Sequence, residues 1–350
     1  MKIAIGPLNN SYGAVGRITK TISHYSKHEV IPFKPPSYNR FLMWFWRETG
    51  IKVYDPYGFY LSHHHLQKFD IIHFMNHPVY REVHFRPKNL HAKYVYRIPG
   101  FYNAYMDKSH PDYQVSKQLD AWMIESCKQC DTIIVGNSWF KEYLSEKYNL
   151  DSTIIPNGVS TKKWIRGSPE RFQKLYGIDP GFCLFAGRIS PEKRPDFFLE
   201  IAERMPHLNF IMIGPSIENN KFSRYIMESL PKNVKWLGRL SGINLVDCFS
   251  AAEILINPVP SKFGGNVILE SMASKTIPIV SVEDINDPVW FEPFVEGLTY
   301  PNNNLEGCIE KINYAKENPK LSLKGFERIL SEYDWSLIIK KYDQLYESMI

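Results

Sequence analysis

The stretch that decides the fold is FAGRISPEKRP, residues 185–195. The apolar residues Phe182–Ala186 are typical of a buried strand, and this strand ends at Gly187. An apolar stripe at i, i+3, i+4 and i+7 predicts that a helix follows, with Phe198, Ile201, Ala202 and Met205 on its buried face. The basic residues of the turn between strand and helix include Arg188 and Lys193.

Fixed positive charge at this turn suits a diphosphate. Open α/β sheets bind ligands outside the carboxyl ends of their strands, which is where Arg188 and Lys193 are predicted to lie. An arginine fork, a lysine point charge and the free N–H groups of a helix start all favour phosphate oxygens. The alternative for residues 185–195 alone is a solvated basic turn.

Buried strands alternate with helices along both halves of the chain. The strands are predicted at residues 2–5, 30–33, 70–74, 93–97, 132–136, 153–155, 182–186, 209–213, 234–237, 253–256 and 277–281. This alternation predicts an α/β protein with two doubly wound parallel sheets, each Rossmann-like. The strong turn at Asn157-Gly158 marks the break between them. A last helix is predicted from Trp335 to Met349, capped by Asp334.

Three blocks together resemble a known family. They are IPNGV at residues 155–159, the stretch at 185–195, and NPVPSKFGGNVILESMASKTIPIVS at 257–281. In this order and at this separation they resemble the retaining glycosyltransferases of family 4, which have the two-domain GT-B fold. The resemblance implies two Rossmann-like domains facing a central cleft, and transfer of a hexose from a nucleotide-diphosphate sugar (EC 2.4).

The resemblance also implies which residues form each domain and which substrate each domain binds. Residues 1–158, with the C-terminal helix at 334–350 crossing back, form the N-terminal acceptor-side domain, and 159–333 form the nucleotide-sugar domain. Arg188 and Lys193 would neutralise charge on the leaving diphosphate, which removes the need for a metal. No Asp-x-Asp motif is placed to bind one. We therefore expect no cofactor, with a UDP-sugar or GDP-sugar as the donor.

Gly187, at the end of the strand 182–186, is a candidate donor-binding residue. Glycines at two further places are expected to let the backbone approach the phosphates. Gly265 and Asn266 open a helix, whose start offers free N–H groups. Gly13 and Gly16 follow the first strand and resemble the family's first-domain glycine loop. Within the family's Glu-x7-Glu motif, the second glutamate matches Glu270, which would accept hydrogen bonds from the ribose.

The sequence departs from the family pattern at two places. Lys262 stands where the first glutamate of the motif would contact the donor sugar. Either the loop is shifted, the donor differs, the charge helps the diphosphate, or catalysis is lost; a changed donor contact by an exposed lysine is the favoured interpretation. Relatives often carry a histidine after the strand that ends here at Arg97. We therefore take Arg97, and His73 or His77 after the preceding strand, as candidate catalytic residues.

Charge separates the two halves of the chain. Residues 1–160 hold 19 Lys and Arg against 13 Asp and Glu, whereas the remainder holds 23 against 24. A basic half favours an anionic partner. Nucleic acid is not expected, because no nucleic-acid-binding signature is present. A glycan, a lipid-linked or a phosphorylated acceptor fits better.

The aromatic and basic segment at residues 40–47 has three interpretations: a buried helix, a peripheral membrane or lipid-acceptor contact, or an oligomer contact. The first residues are predicted to form a strand and not a signal peptide, so we expect a cytoplasmic protein, associated with the cytoplasmic face of a membrane if 40–47 makes that contact. The leading function is retaining, metal-independent sugar transfer. The alternative is a catalytically silent GT-B protein that binds a nucleotide sugar. A dinucleotide oxidoreductase is excluded, because no G-x-G-x-x-G follows the first strand.

Overall fold

The chain divides into two compact units. Met1–Pro156 with Ile338–Ile350 form unit 1, and Asn157–Leu337 form unit 2. The computed structural model describes residues 1–6, 14–33, 68–75, 91–98, 100, 113–216, 220–263, 265–284, 286–287 and 289–350. The boundary expected from sequence, after Gly158 and before 334, lies a few residues from these limits.

Unit 1 contains a six-stranded parallel sheet in the order β2-β1-β3-β4-β5-β6. Its strands are β1 (Lys2–Gly6), β2 (Glu29–Pro32), β3 (Ile71–Phe74), β4 (Lys93–Arg97), β5 (Thr132–Val135) and β6 (Thr153–Ile154). Its described helices are α1 (Ala14–Tyr25), α2 (Tyr113–Cys127) and α3 (Ser138–Tyr148). Strands β1, β3 and β4 are almost entirely buried, as expected for parallel strands covered on both faces.

Unit 2 contains a second six-stranded parallel sheet, in the order β12-β11-β10-β7-β8-β9. Its strands are β7 (Phe182–Ala186), β8 (Phe210–Ile213), β9 (Val234–Trp236), β10 (Ala252–Asn257), β11 (Ile277–Val282) and β12 (Leu298–Pro301). Its helices within the described residues are α4 (Thr161–Trp164), α5 (Pro169–Tyr176), α6 (Pro195–Arg204), α7 (Lys221–Glu228), α8 (Gly242–Ala251), α9 (Asn266–Ala273), α10 (Leu305–Glu317) and α11 (Leu321–Arg328). Two apolar clusters of buried side chains pack on the sheet, and α6 and α9 contribute to different ones.

The predicted strands are confirmed. All eleven are present with no end shifted by more than one residue, and the sequence missed β12. That strand begins directly after the Gly297 turn, ends at Pro301 and alternates more and less buried residues, so it offers no continuous apolar run to detect.

The last helix, α12 (Trp335–Ser348), begins where the sequence placed its cap. Asp334 Oδ1 accepts a hydrogen bond from Ser336 N at 2.9 Å, which satisfies one of the free N–H groups of the first turn. From Ile338 onward the helix belongs to unit 1, and Asp343 accepts a 2.5 Å hydrogen bond from Ser26 there. Its buried residues include Ile338, Ile339, Tyr342 and Tyr346.

A close backbone approach at the carboxyl ends of β7 and β8 requires glycine at position 214. Gly214 has φ of +135°, and a Cβ built there would overlap the carbonyl oxygen of Gly187. The approach lets Gly187 N donate to Ile213 O at 3.0 Å and Gly214 N donate to Gly238 O at 2.8 Å. A side chain at 214 would force these two strand ends apart.

We therefore expect Gly214→Ala to lower the free energy of unfolding by about 2–4 kcal/mol, because the methyl group meets backbone and the φ value is strained. Gly177→Ala is the matched control, since Gly177 has a positive φ of +61° but no neighbouring atom within 4 Å of the added Cβ. It should cost about 1 kcal/mol. Urea denaturation of both variants measures the difference, and equal losses would contradict the steric argument.

Candidate functional site

The second sheet reverses its direction of growth between β7 and β10. From β7 the chain adds β8 and β9 on one side, and then returns to place β10, β11 and β12 on the other. Loops that leave the carboxyl ends of these two adjacent strands turn away in opposite directions and leave a crevice, the usual ligand site of open α/β sheets. Arg188, Lys193, Lys262 and Gly265 lie on these loops.

The loop after β7 is held by the backbone of the loop after β8. Ile189 N donates to Pro215 O at 3.0 Å, so Arg188 sits on a fixed stretch of chain. Its side chain is 61% exposed and donates to Glu192 Oε1 at 3.1 Å. The hydroxyl of Ser190 also donates to Glu192 Oε1, at 2.7 Å. Glu192 therefore positions the guanidinium without burying it.

Lys193 ends a 3₁₀ turn, Pro191–Lys193, and its side chain is half-buried. Within the described residues, its ammonium group makes no hydrogen bond or salt bridge. Burial lowers the pKa of Lys193, Glu192 acts to raise it, and the neighbouring Arg188 lowers it further. A cation in this environment gains from an anionic ligand, because the ligand would stabilise its charged form.

The loop after β10 ends in the start of helix α9. Gly265 occupies the N-cap position with an extended φ of 172°, and among the described residues no side chain caps the helix. The first N–H groups of α9 therefore remain available to an anion. The side chain of Asn266 accepts a 2.7 Å hydrogen bond from Asn157 Nδ2, which ties the helix start to the Asn157-Gly158 turn. Glu270 lies one turn further along α9 and is half-buried.

Lys262 is not the exposed loop residue that the sequence suggested. It lies in a second 3₁₀ turn, Ser261–Phe263, and its side chain is only 14% exposed. Its ammonium group forms a salt bridge with the carboxylate of Glu283, whose side chain is 44% exposed. Glu283 follows β11, the strand next to β10, so the pair joins two neighbouring loops at the carboxyl edge of the sheet.

In unit 1, the two described catalytic candidates, Arg97 and His73, are buried and contact the C-terminal helix. Arg97 ends β4, is 4% exposed, and donates to Ile155 O at 2.8 Å and to Tyr342 Oη at 2.6 Å. The Nδ1 atom of His73, at β3, lies 2.6 Å from Tyr346 Oη. These contacts give Arg97 and His73 a structural role in holding α12. The assignment of Arg97 to the reaction centre stays a prediction that its burial does not favour.

The other candidates divide between described and undescribed residues. Gly16 lies in the first turn of α1, which follows β1. Gly13, His77 and the segment 40–47 lie outside the described residues. In the part of the chain that the structure covers, no group of three or more His, Cys, Asp or Glu side chains is placed to hold a metal ion. Among the described helices, none has both the length and the apolar character needed to span a bilayer.

Two carboxylates of this edge were missed by the sequence reasoning. Glu192 stands four residues after Arg188, a spacing that could have indicated an ion pair. Glu283 lies two residues after the predicted strand at 277–281, so the rule that ligands lie at carboxyl ends could have marked it. Its pairing with Lys262 could not be read from spacing, because the two residues are brought together by adjacent strands.

Comparison with protein families supports the resemblance of unit 2 to glycosyltransferases. Residues 169–327 match the family model described as glycosyl transferases group 1. The match begins at α5 and ends within α11, so it contains every candidate residue between Gly187 and Glu270. The resemblance to glycosyltransferases drawn from the sequence blocks is confirmed in this general form.

Individual relatives agree with this match. The processive diacylglycerol alpha-glucosyltransferase of Acholeplasma laidlawii is 25% identical over 232 residues, 63% of this chain and 68% of that protein. The alpha-monoglucosyldiacylglycerol synthase of the same organism is 23% identical over 286 residues, 73% of this chain and 70% of that protein. The structure of Anabaena HepE in complex with UDP and glucose superimposes with a TM-score of 0.76 at 13% identity, covering 99% of this chain and 100% of that one. The predicted GT-B fold of two Rossmann-like domains is confirmed.

Because His73 is buried, we expect the stability of unit 1 to fall at acidic pH. Burial, assisted by the charge of Arg97, lowers the pKa of His73 to about 3 from its ordinary value of 6.5. Between these values only the unfolded chain binds the proton, so the stability that neutral His73 provides is present above pH 6.5 and is lost as the pH falls towards 3.

From pH 7.5 to 5.0 this single group should lower the free energy of unfolding by about 2 kcal/mol. His73→Asn cannot titrate and should reduce the pH dependence by that amount, measured by urea denaturation at both values. His24→Asn, at an exposed position of α1, should leave the wild-type difference intact. An unchanged pH dependence in His73→Asn would show that the imidazole is solvated.

Proposed function

We propose that this chain, whose residues 169–327 match glycosyl transferases group 1, is a retaining, metal-independent glycosyltransferase. It would move a hexose from a nucleotide-diphosphate sugar to an acceptor hydroxyl. The observation that carries the proposal is the arrangement at the switch point of the second sheet. Arg188 and Lys193, from the loop after β7, lie at the same sheet edge as the start of α9 after β10, which no side chain of a described residue caps.

The chemistry of the donor explains why this arrangement suits it. When the bond between the anomeric carbon and the phosphate oxygen breaks, negative charge develops on the departing diphosphate. Preorganised cations and backbone dipoles stabilise that charge without reorganising at the moment of reaction. Arg188 would bind two phosphate oxygens through its guanidinium fork, and Lys193 would supply a compact charge from its half-buried position.

The first turn of α9 completes the phosphate site in this proposal. Helix N-termini bind anions through free backbone N–H groups, here those of Gly265 and Asn266. Glycine at this position lets the phosphate approach closely. Glu270, one turn further along, would accept hydrogen bonds from the ribose hydroxyls of the same donor. The nucleoside would then lie on the α9 side of the crevice.

Retention requires no protein nucleophile in the proposed reaction. The acceptor oxygen would bond to the anomeric carbon on the face that the diphosphate leaves, and its proton would pass to the leaving phosphate oxygen. Atoms and charge then balance without a separate general base. This is consistent with the buried position of Arg97 and His73, which the described contacts commit to packing.

A lipid acceptor is the class that the comparisons favour. One relative is named as a diacylglycerol glucosyltransferase, and another as a synthase of alpha-monoglucosyldiacylglycerol. The basic character of residues 1–160 fits an acceptor that carries anionic groups or lies in an anionic membrane. We propose UDP as the first nucleotide to test, since HepE was crystallised with UDP and glucose. We further propose that the protein works at the cytoplasmic face of a membrane.

Removing either cation should greatly reduce sugar transfer. Arg188→Ala and Lys193→Ala should each lower kcat by about 10²–10³, the usual loss when one preorganised charge donor is removed. Released nucleoside diphosphate and glycosylated lipid are measured with a panel of UDP- and GDP-sugars and diacylglycerol in vesicles. Arg204→Ala is the matched control, because Arg204 is a similarly exposed arginine of unit 2, paired with Glu306.

The control variant should retain wild-type turnover. Wild-type turnover in Arg188→Ala or Lys193→Ala would remove that residue from the mechanism. Wild-type protein that binds UDP or GDP but consumes none of the donors would instead support the silent GT-B alternative.

Activity should survive chelation, because Arg188, Lys193 and the α9 N-terminus supply the positive charge that a divalent ion would otherwise provide. The measurement is donor consumption after dialysis against EDTA, with and without added Mg²⁺ or Mn²⁺. Equal rates are expected in all samples. Loss of activity with EDTA and recovery with either ion would refute the assignment of these two side chains to the leaving group.

A further inference from the structure

We infer that Glu283 is a specificity-determining residue of the donor site, and that its carboxylate, oriented by Lys262, accepts hydrogen bonds from the transferred sugar. This inference rests on the proposed function. It concerns a residue outside the sequence blocks that carry the family resemblance, since Glu283 lies beyond 257–281.

The position of the pair follows from the strand order. Strands β11, β10 and β7 are neighbours, and their carboxyl ends deliver Glu283, Lys262 and Arg188 to the same edge of the sheet. Lys262 stands three residues before Gly265, the N-cap of α9. A diphosphate bound at the start of α9 therefore has the Lys262–Glu283 salt bridge beside it.

A nucleotide-diphosphate sugar has one nucleoside and one sugar, joined by the diphosphate. Glu270, further along α9, is the proposed ribose contact, so the nucleoside extends along the helix. The residues before the helix start then face the other substituent, which is the sugar. A hexose presents several hydroxyl donors in a pattern that differs between stereoisomers, and a fixed carboxylate can distinguish them.

Glu283 has the properties that such a contact needs. Its salt bridge to the 14% exposed Lys262 fixes one side of the carboxylate, while the side chain remains 44% exposed. An ionised carboxylate has about four acceptor sites, so accepting from Lys262 leaves others for hydroxyl groups. The backbone is fixed as well, because Glu283 N donates to Asp287 Oδ2 at 2.8 Å.

The salt bridge also changes what Lys262 can do. Its charge is already compensated by Glu283, so the diphosphate has less to gain from it than from Lys193. A Lys262→Glu substitution alone would place two carboxylates against each other, and would not simply supply a sugar-binding glutamate. The charge-swapped variant, Lys262→Glu with Glu283→Lys, restores the pair while moving the carboxylate to the other loop.

The test compares affinity for a nucleotide sugar with affinity for the nucleotide alone. UDP and GDP, and their glucose, galactose, mannose and N-acetylglucosamine conjugates, are titrated by calorimetry, and melting temperatures are recorded. Glu283→Gln should bind the free nucleotide as the wild type does, but should lose about tenfold or more of its affinity for the preferred nucleotide sugar. The charge-swapped variant should have the wild-type melting temperature, because its salt bridge is restored. It should nevertheless rank the sugars differently from the wild type.

The matched control is Glu253→Gln. Glu253 forms a 2.8 Å salt bridge with Lys316 in the same unit, but it lies near the amino end of β10. This control should keep the wild-type ranking. Sugar affinity unchanged in Glu283→Gln, or a wild-type ranking in the charge-swapped variant, would overturn the inference while leaving the proposed function intact. If the wild-type protein binds none of the nucleotides, both the inference about Glu283 and the proposed function are contradicted.

Discussion

Parallel strands can be joined only through crossover connections, and this constraint places the candidate functional residues of unit 2. Each crossover returns the chain to the same end of the sheet, so all six strands release their loops at one edge. Growth of the sheet in two directions from β7 and β10 then opens that edge at one point. Residues far apart in sequence, such as Arg188 and Asn266, meet there because of topology, without any direct contact needed to hold them together.

The sequence predicted those features that depend on burial. All eleven predicted strands are present, and most of them are apolar runs buried on both faces. Strands β2 and β6 are the more exposed ones. The same reasoning selected Gly187, Arg188, Lys193, Gly265, Asn266 and Glu270 as candidates, because each follows the end of such a strand or lies in the helix after it, and their roles stay predictions. It missed β12, whose alternating burial gives no continuous apolar run.

Pairing between distant side chains was beyond the sequence. Arg97 ends β4 and Arg188 lies just beyond the end of β7, so the sequence makes both look like residues of a carboxyl edge. The structure separates them, because α12 returns to unit 1 and covers Arg97 with Tyr342. Lys262 differs from a solvated loop lysine only through Glu283, which a neighbouring strand brings near. In both cases the partner is set by tertiary packing, so no local pattern could reveal it.

The three cations at the edge of the second sheet are therefore not equivalent towards a diphosphate. Lys262 is mostly buried against Glu283, and separating that pair would leave a poorly solvated charge. Arg188 is 61% exposed, and its bond to Glu192 is a surface pair worth little, so a phosphate can replace the carboxylate at small cost. Lys193 has no ion-pair partner within the described residues, and burial already disfavours its charged form. An incoming diphosphate thus gains most at Lys193, next at Arg188 and least at Lys262. This order favours leaving-group stabilisation at the first two and leaves the Lys262–Glu283 pair free to contact the rest of the donor.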